Sequence, residues 1–288
     1  GYAVAKHGNR SVSSQCGSAD VVEALGIPID LPPETVQPSL EETHFAFLFA
    51  PAYHKVFKTL QPIRQKLAEN GSRSVFNLLG PLLNPVQPNV QIVGVYNSKL
   101  TEIICNVLKE LGLLRAVAVH GFVDSSHESG LDEFSNCGPN RLSQLHSSGH
   151  VETIDLDISV VGLKASYLHD LKGGDKNKNA EIITGILKGE IKGAPREFVL
   201  FNASAGFVLS NLATDLKDGI AKAAAEIDSG RAWKKLEQVR EFGRKHAGTH
   251  KPTRIKVDTA WLKLEREKQK RHTAIVTSPI SPDEKKEE

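Results

Sequence analysis

The 288-residue chain contains no methionine, not even at position 1. It opens on Tyr2-Ala3-Val4-Ala5, an apolar run that reads as the end of a strand. A fragment, or a gene product lacking its beginning, is therefore expected. No apolar run is long enough to span a bilayer and no signal peptide is recognisable, so neither a membrane partner nor secretion is expected. Cysteine is scarce: Cys16, Cys105 and Cys137 are odd in number and widely spaced, which excludes a disulfide framework or a zinc pattern. A reducing, cytoplasmic setting follows. Excess charge is also missing. Lys+Arg 36 against Asp+Glu 34 leaves +2, which argues against wholesale nucleic-acid binding. No internal repeat is visible.

One further absence is local. From Lys6 to Ser18 there is no carboxylate, while Lys6 and Arg10 bring positive charge and Gly8 and Gly17 expose backbone N–H groups. Asn9, Ser11, Ser13, Ser14 and Ser18 add small polar groups. Such a stretch suits a polyanion such as phosphate or pyrophosphate. Ser18 reads as an N-cap for a helix over Ala19–Leu25, stopped by Gly26 and Pro28. The order is strand, Gly/Ser loop, helix start, where anions collect.

Along the chain, Pro28 to Pro38 reads as a connector and Ser39 to Glu42 as the start of a short helix. His44 to Ala50, ended by Pro51, fits a strand buried on both faces. Tyr53 to Leu67 has helical spacing. Gly80-Pro81-Leu82-Leu83-Asn84-Pro85 reads as a rigid loop. Val90–Tyr96, Lys99–Leu111 and Arg115–His120 form a strand, helix, strand unit. A weaker strand is expected within Glu152–Val161, a turn at Leu171–Asp175, a helix from Asn179 to Leu187 and a strand at Glu197–Phe201. Helices are expected over Val208–Leu216, Gly219–Ser229 and Ala232–His246. Residues 250–288 read as a charged, partly disordered tail. The fold class is α/β, with a central mixed, mostly parallel sheet flanked by helices.

Two more groups point to chemistry. Asp132 and Glu133, in Gly130-Leu131-Asp132-Glu133, follow the strand ending at His120-Gly121 and could hold Mg²⁺, partly through water and substrate phosphate. A lone Asp-Glu pair is more often a solvated turn. Arg64 lies on the helix after Phe49-Ala50-Pro51 and His54, where its guanidinium could fork onto a carboxylate.

The wording KHGNRSVSS, then GSAD and EALG, resembles the phosphate loop of anthranilate phosphoribosyltransferases. GPLLNP and GLDE follow in the family's order, and the resemblance spans roughly Gly1 to His246. It implies a large domain of the nucleoside phosphorylase and phosphoribosyltransferase kind over residues 1–249, there incomplete. It implies transfer of the 5-phosphoribosyl group from 5-phosphoribosyl diphosphate to anthranilate, releasing pyrophosphate, in tryptophan biosynthesis. By resemblance, Lys6, His7, Gly8, Asn9, Arg10, Ser11, Val12, Ser13, Ser14 and Ser18 bind 5-phosphoribosyl diphosphate. Asn9, Arg64, His54, Gly80 and Pro81 face anthranilate, and Asp132 and Glu133 carry Mg²⁺. No single catalytic base is implied, since the aromatic amine is largely unprotonated at neutral pH.

There are departures. Family members read His-Pro where this chain has His54-Lys55, and the stretch Phe122–Ser129 looks longer than the family's loop. A preceding small helical domain and a GTGGD-type loop are not found in the sequence. The chain alone is therefore expected to bind 5-phosphoribosyl diphosphate poorly and to be of low stability, with a homodimer forming where the helical domain is present. Nucleic acid is not an expected partner. The alternatives are a non-catalytic homologue that binds nucleic acid or another ligand and, ranked last, a nucleoside phosphorylase of the same fold.

Overall fold

The computed structural model describes residues 2–11, 15–54, 60, 63, 66–67, 76–127 and 129–247. The chain gathers into two compact units, each woven from separate stretches. One contains the chain up to Gln87, Gly173–Leu187 and the segment from Arg231; the other contains Pro88–Lys172 and Lys188–Gly230.

In the first unit, β1 (Val4–Gly8) pairs in parallel with β2 (Phe45–Phe49), Lys6 opposite Phe47 and Gly8 opposite Phe49. The strand thus runs through Lys6, His7 and Gly8, and the loop begins only at Asn9. Backbone pairing with the apolar β2 outweighs the polar character of those three residues. Helix α1 (Ser18–Ala24) is capped at Gly17, one position earlier than its sequence suggests. The expected connector turns helical at its end: α2 (Val36–Thr43) contains Pro38 in its first turn, where a missing N–H costs nothing. A short helix α3 (Ala50–Tyr53) ends at His54. Most of the helix expected beyond it, including Arg64, lies outside the described residues. The Gly80-Pro81 stretch is not a loop but the last turn of α4 (Phe76–Leu82).

The second unit holds a mixed sheet among the described residues. Strand β3 (Val90–Gly94), helix α5 (Leu100–Glu110) and strand β4 (Arg115–Phe122) form the expected unit, with β3 and β4 parallel. Strand β5 (Gly130–Leu131) folds back antiparallel on the end of β4. Strands β6 (Asn140–Leu145) and β7 (Val151–Leu156) extend the sheet, each antiparallel to its neighbour. Antiparallel pairing therefore takes a larger share than "mostly parallel" anticipates.

Helix α6 (Lys176–Leu187) belongs to the first unit, and α7 (Ala194–Leu209) and α8 (Leu216–Asp228) to the second. The last helix, α9 (Arg231–His246), returns to the first. Glu197–Phe201 is thus helical, not a strand. Pro195 sits in the first turn of α7, and Leu200, Phe201, Ser204, Ala205, Val208 and Leu209 lie buried on one face at helical spacing. The helix stops at Leu209, so the expected helix over Val208–Leu216 is a turn joining α7 to α8.

Each unit has its own apolar core. Ala19, Val22, Leu25 and Ile27 pack with Ala180, Leu236 and Val239 in the first. In the second, Val117, Val119, Phe134 and Leu142 pack with Phe201, Ala205 and Leu209. No helix among the described residues is long and apolar enough to cross a membrane.

Candidate active site

The loop after β1 is closed at its base. The Asn9 carbonyl accepts the N–H of Ala19 at 3.1 Å and the Ser18 hydroxyl at 3.4 Å. Both glycines sit at close approaches, Gly17 against main chain and Gly8 against side chains. A Cβ on Gly17 would lie 2.2 Å from the Ser11 nitrogen, and one on Gly8 would lie 2.4 Å from the Ser18 hydroxyl. Lys6 and Asn9 are exposed, and Lys6 has no ion-pair partner among the described residues. Arg10 is engaged instead. Its guanidinium donates to Asp20 at 2.8 Å and to both oxygens of Glu23 at 3.1 and 2.8 Å. These ion pairs hold the Arg10 charge firmly, raising its pKa. Val12, Ser13 and Ser14 lie outside the described residues.

His7 joins the loop to the apolar segment further along the chain. Its Nδ1 lies 3.1 Å from the Gly80 carbonyl, which can only accept, so Nδ1 carries the proton. The His7 ring meets His54 edge-on with centroids 5.0 Å apart. Burial, and then the neighbouring His54, keep the His7 pKa below its ordinary value, against the Gly80 carbonyl. The neutral ring leaves Nε2 as a buried acceptor with no hydrogen-bond partner among the described residues. Asn84 donates to the Ala5 carbonyl at 3.1 Å and accepts from the Val86 N–H, which fixes the GPLLNP segment against β1. His7, His54 and Gly80, named from separate motifs, are brought together; Pro81 follows Gly80 in the same helical turn.

In the second unit, Asp132 and Glu133 are both exposed. Their backbone packs on the ends of the two parallel strands. A Cβ on Gly94 would sit 1.5 Å from the Asp132 carbonyl oxygen, and one on Gly121 would sit 2.5 Å from that of Glu133. The apparent insertion after Phe122 is the reversal that makes this possible. Asp124 accepts the Ser126 N–H and hydroxyl at 2.8 and 2.5 Å, His127 stacks edge-on against Phe122, and β5 then returns along β4. Phe134, immediately after the acids, is clamped by Asn202: its N–H donates to Oδ1 at 2.9 Å, and Nδ2 donates to its carbonyl at 2.8 Å. The C-terminal ends of parallel strands are where open α/β sheets bind ligands. No group of three or more His, Cys, Asp or Glu among the described residues could hold a metal. A cation held by Asp132 and Glu133 would need its remaining ligands from water or phosphate, a donor set of the kind Mg²⁺ accepts.

Two residues were missed by sequence reasoning. Asp20 occupies the third position of α1, the place where an acid reaches back to the capping N–H, so a signal was available. Asn202 reads in sequence only as part of an Asn-Ala-Ser triplet. The turn at Leu171–Asp175 behaves as expected: the Asn179 amide grips the N–H and carbonyl of Gly174 at 2.8 and 3.0 Å, and Asp175 caps α6 through the N–H groups of Asn177 and Lys178.

Each unit thus presents its own candidate groups: a loop tied at its base after β1 in the first, and a carboxylate pair at the ends of two parallel strands in the second. The family model described as "Glycosyl transferase family, a/b domain" matches residues 1–233. The anthranilate phosphoribosyltransferase of Desulfatibacillum aliphaticivorans is 47% identical over 242 residues, covering 84% of this chain and 68% of its own length. The crystal structure of the Thermus thermophilus enzyme is 40% identical, with a TM-score of 0.74, over 85% of this chain and 69% of that one. The Saccharomyces cerevisiae enzyme, solved in complex with 5-phosphoribosyl diphosphate and Mg, is 28% identical with a TM-score of 0.73, over 84% of this chain and 65% of that one. The chain belongs to the anthranilate phosphoribosyltransferase family. It spans about two thirds of the length of those relatives.

Proposed function

We propose that the intact protein transfers the 5-phosphoribosyl group to anthranilate, with release of pyrophosphate, as part of tryptophan biosynthesis. The junction at His7 supports this most strongly. One strand carries a polyanion-suited loop at its end and, through the Gly80 carbonyl, a stiff apolar turn beside it. The two halves of the substrate pair, one doubly phosphorylated and one aromatic, call for those two surfaces.

In this reading Lys6, Asn9, Ser11, Val12, Ser13, Ser14 and Ser18 hold 5-phosphoribosyl diphosphate. Gly8 and His7 shape the approach, and Arg10 acts on the loop rather than on phosphate. As the bond from C1 to the pyrophosphate oxygen breaks, negative charge grows on the leaving group, and a cation such as Lys6 stabilises it. Asn9, His54, Gly80 and Pro81 place the anthranilate ring, and Arg64 forks onto its carboxylate. Asp132 and Glu133 hold Mg²⁺, which when bound neutralises pyrophosphate charge. Cys16, Cys105 and Cys137 are present as thiols, in agreement with a cytoplasmic setting. A homodimer made through a preceding helical segment belongs to the same reading of the whole protein. The nucleic-acid reading of the basic loop gains nothing, since Arg10 is already balanced by two acids.

Arg64→Ala tests the assignment. In the intact protein it should raise KM for anthranilate by about ten-fold or more, the worth of a forked charge-assisted pair, with KM for 5-phosphoribosyl diphosphate nearly unchanged. An unchanged anthranilate KM would remove Arg64 from the site.

A further inference from the structure

We propose that Asp20 is a positioning residue that ties Ser11 to Gly17 at the two ends of the anion loop, with Arg10 as the counter-charge that lets a carboxylate sit there. The inference rests on the reading of that loop as the pyrophosphate site. An acid close to a phosphate-binding loop is at first sight a liability, because it repels the ligand. The structure shows how the charge is used. Asp20 Oδ2 accepts the N–H of Ser11 at 3.1 Å and that of Gly17 at 2.9 Å, so one oxygen ties the start of the loop to its end. Oδ1 accepts from Arg10 at 2.8 Å. Arg10 continues to both oxygens of Glu23, one helical turn further along α1, and lies 5.9 Å from the Phe49 ring centroid. Lys176 approaches Glu23 at 3.7 Å, which balances the cluster at two cations and two anions.

The clasp leaves Lys6 as the uncommitted positive charge of this segment among the described residues. It also explains why Gly17 tolerates no side chain, since a Cβ there would collide with the Ser11 nitrogen that Asp20 holds in place. The Ser11 and Gly17 N–H groups, with Arg10 after them, keep the Asp20 pKa down at about 2, so the carboxylate stays ionised throughout the working range.

Asp20→Ala and Asp20→Asn in the intact protein, read in two ways, test this. Amide hydrogen exchange without substrate should show faster exchange over residues 9–17 in Asp20→Ala, with α6 and α9 unaffected. Steady-state kinetics should show KM for 5-phosphoribosyl diphosphate raised by roughly ten-fold or more, the scale of a lost charge-assisted hydrogen bond, while KM for anthranilate moves less than about two-fold. Asp20→Asn should fall between, because its amide turns a donor either toward Arg10 or toward the two N–H groups. Unchanged exchange over residues 9–17 overturns the clasp. Faster exchange with an unchanged KM for 5-phosphoribosyl diphosphate overturns its role in positioning the ligand. If the unsubstituted protein does not turn over 5-phosphoribosyl diphosphate and anthranilate at all, the functional reading fails, and hydrogen exchange alone decides the clasp.

Discussion

The two units hold their candidate groups by different means, beyond the close main-chain approach at Gly17 that the first shares with the second. In the first, the loop after β1 is drawn together by ionised side chains: Asp20, Arg10 and Glu23 do the work, all at or near the surface. In the second, Asp132 and Glu133 are set by main chain packed on main chain, at Gly94 and Gly121, and by the uncharged amide of Asn202. Contacts between exposed charges give way at modest cost, because water and salt compete for each of them. A backbone laid on glycine has no such slack. The contrast suits the proposed chemistry: a loop that admits and releases a large polyanion, and acids that hold a small cation in one place.

The comparison breaks first, and hardest, at Gly94. Its added methyl would meet a backbone oxygen that cannot swing aside. Gly94→Ala should cost about 3 kcal/mol or more, the upper range for overpacking, measured by chemical denaturation of the intact protein. A loss below about 1 kcal/mol would show that the segment carrying the acids is as yielding as the anion loop. Next comes Asn202→Ala. It leaves the Phe134 N–H and carbonyl without their partner and should cost roughly 2 kcal/mol while increasing the Mg²⁺ concentration needed for half-maximal activity. If stability falls and the Mg²⁺ requirement stays fixed, Asn202 braces the core alone and has no bearing on the acids.

Much of this was readable beforehand, and the failures have physical causes. The β3–α5–β4 unit was clear because its apolar periods switch cleanly from strand to helix and Gly112 marks the helix end with a positive φ of 83°. The Gly173-Gly174 turn was clear because its glycines and Asn179 are turn formers. Glu197–Phe201 was misread because Phe198, Val199, Leu200 and Phe201 form a short apolar run, which fits a buried strand and a buried helix equally well. Only the longer window to Leu209 settles it. Strand β6 went unnoticed because Arg141, Ser143 and Gln144 make it look polar. In the fold Ser143 is fully buried, bonded to Thr101 and Thr153. Among the candidate groups, the residue types suited to phosphate, carboxylate and cation stand out in the sequence, while the residues that brace them, Asp20 and Asn202, do not. The reach of Asp20 back to the Gly17 N–H follows from its place in the helix, but its bond to Ser11 and that of Asn202 to Phe134, about ten and seventy positions away, belong to no local pattern.

The smallest change to the molecule tests the central claim most directly. Lys6 is exposed, so replacing it should leave the fold intact. The binding of 5-phosphoribosyl diphosphate to the intact protein, titrated with Mg²⁺ present, should weaken by about ten-fold or more in Lys6→Gln, as loss of one cation from an anion site demands, with the melting temperature unchanged. An affinity equal to that of the unsubstituted protein would contradict the account, because the loop after β1 would then not be what grips the pyrophosphate.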